Sequence, residues 1–230
     1  MLENTARPAA LLLGCLGLLL GGCASTKTPE TARAVTDEAQ TTLEHFIKDP
    51  EMSWLHQNLP NARAVLISPR ILQAGFIVGA SGGNAVLHAR TASGGWTGPA
   101  FYKLATGTIG LQAGADAAEM VALVMSEKAL NSFMSSDFKL GADVSVAAGP
   151  VGVGTGAPIA ADIVVYTRAK GLYAGLNLSG SVVSIDDGAN QAFYGRPVTP
   201  VDILVKHSAT NAEAERLAAG LARAAAASHR

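Results

Sequence analysis

Gly75-Phe76-Ile77-Val78-Gly79-Ala80-Ser81-Gly82-Gly83-Asn84-Ala85-Val86-Leu87 supports two readings, and the choice between them decides the fold. Residues 79–83 have the form G-x-S-x-G. In an α/β-hydrolase such a turn leads from a strand into a helix and exposes the serine as a nucleophile. Here the residues that follow, Asn84 to Arg90, are too few for a helix and soon meet Gly94-Gly95. The second reading takes the apolar runs on either side as strands and Gly82-Gly83 as the turn between them. The missing helix favours the second reading. A serine hydrolase using Ser81 stays open as an alternative.

The same texture extends from Ala64 to Val205. Val65-Leu66-Ile67, Thr108 to Leu111, Met120 to Val124, Val144 to Val146, Ile163 to Tyr166, Leu172 to Leu178, Val182 to Ile185 and Asp202 to Val205 all read as strands. Gly94-Gly95 and Lys170-Gly171 mark turns. No long helical period separates successive strands, so parallel crossovers are scarce and antiparallel pairing is expected. Gly75, Gly79, Gly107, Gly110, Gly114, Gly175 and Gly180 lie in or beside apolar runs. Glycines placed this way mark bends, bulges or close backbone approach, and repeated bends curve a sheet. The expected fold class is α+β: a curved, mainly antiparallel sheet or barrel-like sandwich with peripheral helices. Three of those helices are legible. One is capped by Thr28, opens at Pro29, carries Ala32, Val35, Ala39, Leu43, Phe46 and Ile47 on one face, and stops at Pro50. A second runs from Glu127 to Ser135 behind Ser126. A third follows Thr210-Asn211-Ala212-Glu213 through an alanine-rich stretch to Ala227.

The first 22 residues read as a leader. Arg7 is followed by an apolar run from Ala9 to Leu20, too short for the roughly 20 residues a spanning helix needs. The run ends at Leu20-Gly21-Gly22-Cys23, which is similar to the lipobox of bacterial lipoprotein signals. The expected organisation is a signal peptide over 1–22, a lipidated tether over 23–29 and a single domain over 30–230. Cys23 is the expected lipid anchor. Ala24 rather than Asp at the next position points to the outer membrane, facing the periplasm. Once the leader and Cys15 are removed, Cys23 is the only cysteine left, so the fold must be held without an intrachain disulfide. The formal net charge is −1, which gives no global reason to bind nucleic acid.

Other motifs carry little chemistry. Gly152-Val153-Gly154-Thr155-Gly156-Ala157 has the form of a dinucleotide fingerprint, but Pro158 and a β-branched run follow where a helix should open. His45, His56, His88, His207 and His229 lack ligand spacing. Asp186-Asp187-Gly188 with Asn190 lacks the pattern of a calcium loop and reads better as a solvated turn leading into a helix cap. No cofactor or metal is expected.

From about Ala34 to Val205 the chain resembles the SYLF domain family. The resemblance is carried by Pro69 with Gly75, Gly79 and Gly82-Gly83, by Trp96-Thr97-Gly98-Pro99-Ala100, and by Gly110-Leu111-Gln112-Ala113-Gly114. It continues through Gly141-Ala142-Asp143, Ala147-Ala148-Gly149-Pro150, Tyr166, Lys170-Gly171-Leu172-Tyr173-Ala174-Gly175, Asn190 and Tyr194-Gly195. Ala169 and Tyr173 stand where eukaryotic members usually have Ser and Phe. The resemblance implies a non-enzymatic lipid-binding module, with membrane lipid, and anionic phospholipid in particular, as the partner. Because a bacterial envelope holds no actin, the actin binding of some fungal members is not expected to carry over. Lys170 and Arg168 at a glycine turn, with Lys103 beside Phe101 and Tyr102, are the candidate lipid-binding cations. The alternative within the same family is a structural lipoprotein contacting another envelope component. Cys23→Ser should abolish acylation and leave an unprocessed precursor. Persistent labelling of that variant by a fatty-acid analogue would remove the anchor.

Overall fold

The computed structural model describes residues 28–75, 78–109, 114–152, 159–169, 172–173, 178 and 180–227. Its first element is α1 (Pro29–Lys48). Thr28 holds extended backbone and accepts from the Thr31 backbone N–H, while the Thr31 hydroxyl accepts from the Thr28 N–H. Two of the amide donors left over at a helix start are thereby satisfied. Ala32, Thr36, Ala39, Leu43 and Phe46 recur every three or four residues and are all buried, the single apolar stripe of a helix lying on a core. A short α2 (Ser53–Asn58) and a 3₁₀ turn (Leu59–Asn61) lead into the sheet.

The strands are β1 (Ala64–Gly75), β2 (Val78–Arg90), β3 (Trp96–Ile109), β4 (Gly114–Val124), β5 (Asp137–Lys139), β6 (Val146–Ala148), β7 (Ile163–Ala169), β8 (Leu172–Tyr173) and β9 (Val182–Ile185). Among the described residues they form one curled sheet in the order β5-β9-β3-β2-β1-β4-β7-β6, with β8 also on β7. Every pair is antiparallel except β6 with β7. The remaining helices are α3 (Glu127–Ser132), α4 (Asp187–Tyr194) and α5 (Ala212–Ala227). This is the expected fold class, a mixed α+β domain with peripheral helices.

Both faces of the sheet are buried, which explains why its central strands read as continuous apolar runs. Val65, Ile67, Val86, Phe101, Val121, Leu123, Val164 and Tyr166 face α1, α2 and α5. Leu66, Leu87, Tyr102, Ala122, Val124, Ile163 and Val165 face the opposite side, where Phe133, Phe138, Ile203 and Leu204 cover them. Tyr102 donates its hydroxyl proton to the Phe133 carbonyl at 2.8 Å and meets that ring edge-on at 5.3 Å. Trp96 belongs to the α1 side, 8% exposed, with the Arg90 guanidinium 4.3 Å from its ring centroid. It is a packing residue.

Two expectations are corrected. Gly82-Gly83 is not a turn. Both residues lie in the middle of β2, where Gly82 pairs with Leu72 and Ala105 and Gly83 pairs with Ile71 and Leu104. The reason lies in β1, whose register with β2 jumps between Ile67 and Arg70 and with β4 between Ser68 and Ile71. An extra residue at Ser68-Pro69 makes a bulge, one of the few places inside a sheet that admits proline. The bulge carries the Arg70 carbonyl so close to β2 that a Cβ on Gly83 would stand 2.3 Å from it. The second correction concerns Asp202 to Val205, which is not a strand but lies in a π-helical turn (Val201–Val205). The Thr199 hydroxyl donates to the Asp202 carboxylate at 2.7 Å and accepts from the Asp202 N–H at 3.2 Å. This reciprocal cap starts a helical turn. It buries the adjacent Ile203 and Leu204 in one cluster, which strand alternation would not allow.

The sheet also explains two polar or small residues of the motif set. β9 stops pairing with β3 at Tyr102, and Asp186 turns the chain into α4 after its N–H bonds the Phe101 carbonyl. The buried Asn190 carboxamide then takes over the ladder, accepting from the Phe101 N–H at 2.9 Å and donating to its carbonyl at 3.4 Å. Gly149 lies flat on the Tyr166 ring, where a Cβ would come within 2.1 Å of Cζ. The Gly83 contact is with backbone and cannot be relieved by rotating a side chain. Gly83→Ala should therefore cost about 3 kcal/mol, at the upper end for overpacking, read as a lower urea midpoint. Gly94→Ala, at an open turn with φ +85, should cost about 1 kcal/mol from its left-handed backbone alone.

Candidate functional site

The candidate residues do not converge among the described positions. Cys23 and Lys170, together with Gly171, lie outside the described residues. Arg168 on β7 is largely covered and donates Nε and Nη2 to Glu119 Oε2 on β4, at 3.2 and 2.6 Å. Its guanidinium carbon sits 5.5 Å from the Phe46 ring centroid. From α1, His45 Nδ1 approaches Glu119 Oε1 at 3.1 Å, and Thr42 reaches the same oxygen at 3.5 Å. Glu119 on β4 thus gathers contacts from β7 and from α1, and the cluster ties α1 to the sheet. A recess of about 490 Å³ opens beside it, lined also by Pro69 and Arg70 of the bulge.

Lys103 is on β3, with Nζ 3.0 Å from Asp186 Oδ2. Asp186 is buried, and its Oδ1 accepts from the Ala189 N–H at the start of α4. It is a helix cap, as its sequence suggested, but not a solvated one. The strands β2, β1 and β4 separate β3 from β7, so Lys103 and Arg168 stand four strand spacings apart, roughly 19 Å measured along the curled sheet at about 4.8 Å per strand. Ser81 sits inside β2, 8% exposed and paired with Gln73 and Thr106. A strand interior on both sides is not the strand-to-helix elbow that would present a nucleophile.

A second concavity, about 330 Å³, is a groove between α1 and α5 with Ile67 of β1 and His88 of β2 among its lining residues. Ala39, Leu43, Leu217 and Leu221 line its apolar walls, and Glu44, Lys48 and Arg223 its charged parts. His88 is 5% exposed, and its Nδ1 is closed off from solvent against β3, 3.3 Å from where a Cβ on Gly98 would stand. Burial pushes the imidazole down to about 4, offset only in part by the Thr97 backbone, so it is neutral near pH 7. Sequence reading counted His88 among scattered histidines and missed its place. The available signal was parity, since it follows Val86 by two residues in an alternating strand and must face the same buried side.

Fold and groove together define an α+β domain built on a curled antiparallel sheet, with a helix-walled groove on one face. The family described as "Ysc84: Las17-binding protein actin regulator" matches residues 105–224. The chain belongs to this Ysc84/SYLF family. Protein YSC84 of Saccharomyces cerevisiae is 30% identical over 188 residues, covering 76% of this chain and 40% of the relative. LAS seventeen-binding protein 3 of the same yeast is 30% identical over 188 residues, covering 76% and 41%. The human SH3 domain-containing YSC84-like protein 1 is 30% identical over 152 residues, covering 64% and 44%. The chain spans less than half the length of these relatives.

These findings correct the expected partners, which were membrane lipid with actin excluded. The family is described by Las17 binding and actin regulation, and one yeast relative is named for binding LAS seventeen, all of which involve protein partners. The lipid expectation follows from what the resemblance implies, with lone cations as its physical rationale and the envelope setting as the ground for excluding actin. Of those cations, Arg168 and Lys103 are engaged by Glu119 and Asp186. Glu119→Leu should leave the Arg168 guanidinium half-buried without its carboxylate and cost about 1–2 kcal/mol, after allowance for its residual exposure. In urea unfolding, the Glu119→Leu plus Arg168→Leu pair should recover part of that loss.

Proposed function

We propose that this chain is a non-enzymatic interaction module, tethered to a bacterial envelope membrane through acylated Cys23, whose Ysc84 domain engages a protein partner. The observation that carries the reading is the match over residues 105–224 to a family described as Las17-binding actin regulators, together with a yeast relative named for binding LAS seventeen. In this reading residues 1–22 are a cleaved leader, residues 23–29 are the tether, and the domain begins at residue 30. A span from Cys23 to the cap at Thr28 reaches at most roughly 18 Å when extended, which holds the domain close to the bilayer. Ala24 after the acylated cysteine favours the outer membrane, with the domain facing the periplasm. The position of Ser81 within β2 weighs against the hydrolase alternative.

The test is photo-crosslinking in the native host. A crosslinking amino acid replaces Leu72 or Val205, large apolar residues that are about half exposed, or Arg223 at the groove. The full chain should give a discrete, protease-sensitive adduct from at least one position. Loss of all adducts, with the domain co-sedimenting with protein-free vesicles after removal of its anchor, would overturn the protein-partner reading.

A further inference from the structure

We propose that the sheet face around Leu72, together with the recess at Arg70, is the docking surface for a peptide segment of the protein partner that carries one carboxylate beside a large apolar side chain. The inference rests on the protein-partner reading and names the surface and the chemistry of the contact.

The bulge in β1 makes this surface. Val65 and Ile67 face α1, and strict alternation would continue that side with Pro69 and Ile71. The extra residue at Ser68-Pro69 reverses the parity. Ile71 is buried on the opposite face, and Arg70 and Leu72 emerge on the α1 side. There the helix no longer covers the strands. α1 meets β4 through Thr42 and His45 at Glu119, whereas Ala117, two residues away on β4, is exposed. Leu72 pairs with Ala117 and is itself 50% exposed. Ala80 and Ala105 on the neighbouring strands are exposed as well. A large apolar side chain set among residues too small to shield it is surface that a partner can cover with gain.

Charge selects the partner. The recess of about 490 Å³ has Ala117, Arg70, Arg168 and Glu119 in its wall, so it opens directly beside Leu72. Glu119 already answers Arg168. Exposed Arg70 makes no ion pair among the described residues. Before any contribution from His45, these three groups leave one unanswered positive charge. A guanidinium presents a planar fork that matches a carboxylate. A phosphate monoester would bring a second negative charge to a wall that holds Glu119, so a single carboxylate fits better. Leu72 adds an apolar contact that a small free acid cannot use, and the combination points to an acidic peptide.

The experiment uses the full chain in phosphatidylcholine nanodiscs, titrated by NMR at low salt with acetyl-Leu-Glu-Leu-amide and with its glutamine and phosphoserine counterparts. The glutamate peptide should bind about three- to fivefold more tightly than the glutamine peptide, the upper range for one partly exposed ion pair, and salt should close the gap. Arg70→Gln should bring the ratio to about one. Leu72→Ser should weaken both peptides by about fivefold or more. Both side chains are exposed, so both variants should unfold near the wild-type urea midpoint. Equal affinity for the glutamate and glutamine peptides, no saturable binding by either, or a ratio unchanged in Arg70→Gln would overturn the proposal. Tighter binding of the phosphoserine peptide would assign the recess to phosphate, from a protein or a lipid headgroup, and would overturn it too. In the native host the adduct from Leu72 should be lost in Arg70→Glu, and its partner peptide, sequenced by mass spectrometry, should carry Asp or Glu next to an apolar residue. Adducts from Val205 or Arg223 alone would overturn this docking surface and leave the protein-partner reading standing.

Discussion

The bulge at Ser68-Pro69 sits on β1, the strand between β2 and β4 in the sheet order, and shifts the register on both sides at once. Such a bulge bends its strand and increases local twist. Here the bend brings the Arg70 carbonyl into the space that a side chain on Gly83 would occupy. The Ser68 hydroxyl, fully buried, donates to the Asn84 carbonyl at 2.7 Å and holds the irregular backbone in place. Proline, serine and glycine are all weak strand residues when taken singly, and together they make the geometry that lets the sheet curl.

A curled sheet with two buried faces needs cover on both. On one side α1 and α5 supply it, and they pack on the sheet at a spacing that leaves the groove between them. On the other side the cover comes from α3, β5 and the turn at Val201–Val205. Polar groups inside this arrangement are used to end elements cleanly. Asn190 completes the β3 ladder where β9 leaves it. Asp162 accepts from the Ser126 hydroxyl and from the Ser145 N–H and hydroxyl. These bonds join the cap of α3 to the start of the only parallel pair among the described strands and hold that carboxyl down at about 2.

Family membership and structure bear on function at different levels. The Ysc84 match speaks to the kind of partner that relatives engage. The structure speaks to which side chains are already committed within the fold. Arg168 and Lys103 have carboxylate partners, so a surface argument built on them weakens. Arg223 and His88 lie at the same groove through α5 and β2, which are far apart in sequence.

Local pattern was sufficient for the α+β class, for most strands and for the caps at Thr28 and Ser126, because helix and strand periods and capping chemistry act over a few residues. Asp202 to Val205 shows the limit of that reasoning. Its β-branched composition favours a strand, but the Thr199–Asp202 cap and the shared burial of Ile203 and Leu204 favour a helical turn. Gly82-Gly83 shows a second limit, since a glycine pair reads the same whether it turns a hairpin or yields space to a neighbouring strand. Only the register of β1 against β2 distinguishes the two cases. The sequence alone settled where chain segments could be strand or helix, since each such choice depends on nearby residues. Tertiary structure decided which glycines are tight contacts, which cations are already paired and which histidine faces a groove, because those properties belong to residues brought together from distant parts of the chain.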